Sequence, residues 1–130
     1  LKRIGFKRVI TIGIGAYCLR YAIFGTEFFP VWVMVLSQAF HGFCYAFFFA
    51  AAYIYVDKIA DEDVRHSAQT VFGIIILGGG PVIGGWLSGF LQSTYTVDME
   101  FNFSKFWYTL SVIGLLTTAL FYFSFHEDKE

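Results

Sequence analysis

Four stretches of about twenty residues in which apolar side chains run almost without interruption leave this chain few ways to fold in water. A helix needs about 20 apolar residues to cross the hydrocarbon core of a bilayer. Residues 9–29, 31–56, 69–91 and 106–125 each meet that length. Only 15% of the residues are charged, against about a quarter in soluble domains, so there are too few polar groups to cover a water-facing surface. In lipid every backbone N–H and C=O must be satisfied within the protein, and stretches of this length do so as helices. The expectation is an all-α membrane protein of four transmembrane helices, with no linker or low-complexity segment dividing it. The chain opens on Leu1 and on charged residues, with no signal-peptide pattern, and is read as part of a longer polypeptide.

Charge sets the orientation. Of the nine Lys and Arg, Lys2, Arg3, Lys7, Arg8, Lys58, Arg65 and Lys129 fall on one side if both ends share it. Lys105 alone falls on the other, and Arg20 lies within the first span. The positive-inside rule then places both ends and the 57–66 loop in the cytoplasm and the 26–30 and 92–105 loops outside. No basic stripe suggests nucleic acid. Cys18 and Cys44 both lie in apolar runs and read as small packing residues, and no spacing resembles a zinc site. Haem ligation would need a second histidine facing His41, the one histidine inside a span.

Four constellations carry possible function. Gln38, His41, Tyr45, Phe48, Phe49 and Ala52 recur at a period near 3.6 on one face of the second span. A polar and aromatic stripe in a membrane must face other helices or a cavity. It suits a planar ligand such as a nucleobase, or alternatively an interhelical hydrogen-bonded contact. Arg20 is an intramembrane charge, either part of a transport or proton-coupling route or snorkelling outward toward Glu27. Gly80/Gly84 and Gly85/Gly89 form G-x-x-x-G pairs that permit close helix packing or a sliding contact. Arg3, Arg8, Asp57 and Arg65 are grouped as a cytoplasmic latch between helix ends, with a solvated loop as the alternative.

Ala52-Tyr-Ile-Tyr-Val-Asp-Lys58, then Arg65 and Ala68-Gln69, together resemble the bacterial nucleoside:proton symporters of the major facilitator superfamily. Arg20-Tyr21, His41-Gly42 with Tyr45, Phe101-Asn102 and Trp107 extend the resemblance in order along nearly the whole chain. It implies the ninth to twelfth helices of a twelve-helix inner-membrane transporter that moves nucleosides with a proton by alternating access. It implies no organic cofactor and no covalent chemistry, with the bilayer and the preceding helices of the same transporter as partners. It also implies an acidic residue after Tyr45, where this chain has Ala46, so that His41 becomes the candidate proton-sensitive group. A permease for a sugar or other organic solute, or a small four-helix scaffold or electron carrier, stand as alternatives.

Overall fold

The computed structural model describes residues 5–26 and 28–126, and these are almost entirely helical. Helix α1, Phe6–Gly25, is entered through Gly5, whose φ of 84° is open to glycine without strain. It stops four residues short of the span read from hydropathy. At Thr26 the backbone N–H and the hydroxyl both donate to the Ile23 carbonyl, at 3.2 and 2.7 Å, closing the last turn.

Pro30, extended at ψ 155°, leads into α2, Val31–Ile59. Two irregular turns interrupt it. The Gln38 N–H bonds the carbonyl three residues back, on Val35, at 3.1 Å, and Ala46–Ala50 form a wide π turn. Helix α3, Arg65–Thr94, has its own wide turn at Ile74–Gly79, just before Gly80-Pro81. Proline lacks an N–H and crowds the carbonyl four residues back, and local widening of the turn accommodates both defects. Thr96–Val97 (β1) and Glu100–Phe101 (β2) then pair as an antiparallel hairpin, with Thr96 opposite Phe101 and Val97 opposite Glu100. Its two-residue turn puts Asp98 and Met99 at φ 51° and 70°, the mirror-image turn that matches strand twist but that usually recruits glycine. Helix α4, Phe103–Ser124, follows.

Helices α2, α3 and α4, of 29, 30 and 22 residues, are long and apolar enough to cross a membrane. Helix α1 has 20 residues but includes Lys7, Arg8 and Arg20. Much large apolar surface is open to the surroundings, as at Trp86 (72% exposed), Val82 (73%) and Phe123 (75%), a distribution that suits lipid or further protein rather than water.

The chain divides into two compact units. The first comprises residues 1–52 with 103–130 and is organised on α1 against α4. Small residues let these helices meet. A Cβ on Gly114 would lie 2.8 Å from the Cys18 sulfur, and one on Gly25 would lie 3.0 Å from the Tyr108 ring. The Ser111 hydroxyl donates to the Cys18 carbonyl at 2.8 Å. On another side of α1, a Cβ on Gly13 would come within 2.9 Å of the Phe48 backbone nitrogen, so α2 touches α1 through its wide turn. The second unit, residues 53–102, packs the Tyr53 ring edge-on against Phe72 at 5.1 Å, with the Tyr53 hydroxyl over Gly73.

Candidate functional site

Helix α2 separates into a seam and an open face. Ser37, Cys44 and Ala51 are buried, and Cys44 is wholly so. The Ser37 hydroxyl donates to the Met34 carbonyl at 2.7 Å. Beside this seam, Gln38, His41 and Tyr45 are exposed. The six residues grouped by periodicity therefore divide. Ala52 is buried and Phe48 has its backbone against Gly13, because the wide turn at Ala46–Ala50 sets the following residues back by about one position. Phe49 stays at the open edge and stacks on Tyr45, with centroids 4.4 Å apart and planes 29° from parallel. Phe48 meets Phe49 edge-on at 5.2 Å. His41 lies 6.4 Å from the Tyr45 ring.

Helix α1 supplies what the sequence reading lacked. The Tyr17 ring meets His41 at 5.8 Å and 76°, nearly perpendicular. The Arg20 guanidinium lies 5.8, 5.6 and 5.3 Å from the centroids of Tyr17, Tyr21 and Phe24. Tyr21 and Phe24 in turn contact Trp107 of α4, at 5.4 and 5.0 Å. Arg20 Nε and Nη1 and Trp107 Nε1 are buried without a hydrogen-bond partner. Among the described residues the charge is held by aromatic faces, whose negative quadrupole attracts a cation. The spacing of Tyr17, Tyr21 and Phe24, at −3, +1 and +4 from Arg20, was the available signal. Glu27, the partner suggested for Arg20, lies outside the described residues.

The hydroxyls of Tyr17 and Tyr45 and the ring nitrogens of His41 make no hydrogen bond among the described residues. An open aromatic stack beside three unspent polar groups can take a flat, partly polar ligand by stacking and hydrogen bonding. No three His, Cys, Asp or Glu side chains among the described residues come together as a metal would require.

The other constellations lie apart from this one. Arg65 Nε stands 3.7 Å from Asp57 Oδ1, and Gln69 Nε2 donates to that oxygen at 3.1 Å. Asp57 stands near the C-terminal end of α2 and Arg65 opens α3, each at the end its helix dipole disfavours. Both side chains are more than a third exposed, so the pair contributes about 0–1 kcal/mol. Arg8 is exposed in the first turns of α1, and Arg3 lies outside the described residues. Among the described residues, a Cβ added at Gly80, Gly84, Gly85 or Gly89 would meet nothing within 4 Å.

Comparison with known proteins bears on all of this. The family profile described as Nucleoside H+ symporter matches residues 1–130. The chain is 31% identical over 137 residues to the Escherichia coli putative nucleoside transporter YegT, covering 98% of the chain and 32% of that relative. It is 28% identical to the xanthosine permease of the same organism, with 100% and 32% covered. To the E. coli nucleoside permease NupG it is 33% identical over 111 residues, with 82% and 26% covered. The chain thus spans about a third or less of the length of these curated relatives. No solved structure matches it.

Proposed function

The chain belongs to the nucleoside H+ symporter family, and on that premise we propose that it forms part of an inner-membrane permease that moves nucleosides together with a proton. The observation that carries the reading is the open Tyr45–Phe49 stack beside His41. A nucleoside presents a flat heterocycle to stack and several oxygen and nitrogen atoms to bond, and this face offers both. Gln38 sits at its rim, and Phe48 backs Phe49. Such a permease moves its solute without covalent chemistry, so it is no enzyme and needs no organic cofactor.

Helix α1 is read as a fourth span, its arginine shielded by rings, and the four helices as the ninth to twelfth of a major facilitator fold. The remaining helices supply the opposite wall of the cavity. Gly80, Gly84, Gly85 and Gly89, open here, are read as the seat of a helix from outside this chain. Asp57 and Arg65 are read as a cytoplasmic latch, cheap to break because it is weak. With Ala46 where the family resemblance implies an acid, His41 is assigned the proton-sensitive role.

Uptake of labelled nucleosides by the full-length transporter, at matched expression, tests the site. Phe49→Ala is expected to raise KM by roughly five- to 150-fold, the equivalent of about 1–3 kcal/mol of lost base stacking. Tyr45→Phe is expected to raise it by about two- to tenfold for one hydrogen bond. His41→Gln is expected to flatten the dependence of uptake on external pH. Wild-type kinetics in both Phe49→Ala and Tyr45→Phe would remove this face as the site.

A further inference from the structure

We infer that Tyr17 of α1 is a second wall of this site, contacting the substrate through its hydroxyl, and that Arg20 is the residue that positions it. The inference rests on the proposed nucleoside site and extends it to a helix that the α2 stripe does not reach. Tyr17 is half-buried, stands edge-on to His41 at 5.8 Å, and makes no hydrogen bond among the described residues. The Tyr17 hydroxyl is not among the buried unpartnered atoms and is therefore open to a partner from outside these helices. Its polar neighbours among the described residues are Arg20, which has no acceptor capacity, and Cys44, Tyr21 and Tyr45, none of which hydrogen-bonds it. The group that completes Tyr17 therefore comes from elsewhere, and His41 beside it belongs to the candidate site.

Arg20 fixes where that hydroxyl sits. Its guanidinium covers the faces of Tyr17, Tyr21 and Phe24, and Nε and Nη1 are buried with no hydrogen bond among the described residues. Tyr21 and Phe24 are braced in turn by Trp107. Tyr17 is thus held between a cation that packing immobilises and the imidazole of His41. A ring held in this way presents its hydroxyl with little freedom to lose on binding, which is what positioning contributes to affinity. Arg20 touches no ligand in this scheme. It acts through Tyr17.

The test is nucleoside uptake by the full-length transporter, with detergent-solubilised thermal stability measured in parallel. Tyr17→Phe keeps the ring and its cation contact and removes only the hydroxyl. It is expected to raise KM by about three- to tenfold, with the maximal rate and the substrate-free melting temperature unchanged. Arg20→Gln is expected to raise KM to a similar extent. Arg20→Lys, which keeps a cation over the ring, is expected to return KM to within about twofold of wild type. In the Tyr17→Phe background, Arg20→Gln should add almost nothing, because both changes remove the same contact. An unmoved KM in Tyr17→Phe overturns the inference. So does a lowered melting temperature with KM unchanged, which would assign the hydroxyl to a neighbouring helix, and so do strictly multiplicative effects in the double variant. If Phe49→Ala still impairs uptake while Tyr17→Phe does not, the proposed function stands and this inference alone falls. If the wild-type transporter takes up no nucleoside, both fall.

Discussion

Gly13 and Gly15 lie two positions apart on α1 and have opposite surroundings. A methyl at Gly13 would press on the Phe48 backbone, whereas at Gly15 nothing lies within 4 Å. Gly13→Ala is expected to destabilise the full-length protein by about 1–3 kcal/mol, because a backbone cannot swing aside as a side chain can. Gly15→Ala should be neutral or stabilising by up to about 1 kcal/mol, since alanine is the better helix former. Melting in detergent compares them, and equal shifts would show that α1 and α2 do not meet at Gly13. This is also where the sequence was least legible. The G-x-x-x-G pairs at Gly80, Gly84, Gly85 and Gly89 stood out, yet the glycines that approach a neighbour among the described residues are Gly13, Gly25, Gly73 and Gly114. A spacing motif reports that a helix can be approached closely, not which helix does so. Arg20 shows the same limit: its charge and the rings spaced around it were plain in the sequence, while the bracing of two of those rings by Trp107 required knowing that α1 packs on α4.

Within α2 the ends follow from hydropathy, with Pro30 before the start and Lys58 near the finish, but the wide turn at Ala46–Ala50 does not. Hydropathy counts apolar residues and is blind to which carbonyl each N–H chooses. Assuming one period throughout groups Ala52 with Tyr45, and the extra residue of the wide turn returns Ala52 to the seam. Such a turn amounts to one inserted residue in an α-helix. Deleting Phe47 should therefore convert it to ordinary helix while leaving Val31–Ser37 and Ala51–Ile59 on their present faces. The protein should still insert and elute as a single species from size exclusion, with uptake lost because Tyr45 and Phe49 no longer stack. Deleting Ile54 instead turns Asp57 about 100° away from Arg65, with no wide turn to absorb the change, and should abolish expression. Equal damage from the two deletions would mean that the wide turn is not an inserted residue.

For the whole molecule, the three long apolar helices and the family place the chain in a membrane, and the Lys and Arg distribution carries the proposed orientation. In a full-length background lacking Cys18 and Cys44, a cysteine at Thr96 should react with an impermeant thiol reagent in intact cells, and one at Ser67 should not. Stronger labelling at Ser67 would reverse the topology. The sequence made the spans countable in order, but not the choice of neighbours. Nothing in hydropathy says that the first helix packs on the last, because lipid tails are as apolar as the side chains and small residues decide the contact.

That pairing of first with last has a consequence for how the protein is made. Ser111 and Cys18, which bond across α1 and α4, are 93 residues apart, so at about 5–20 residues per second a ribosome needs about 5–20 seconds to deliver the partner. On the proposed reading of α1 as a span, it stands in the bilayer throughout that interval with Arg20 in it and without its neighbour. The rings shown against that arginine, Tyr17, Tyr21 and Phe24, belong to α1 itself, and they stand around it as soon as the helix has formed. The nascent chain thus carries its own chaperone for the charge, and only Trp107 arrives late.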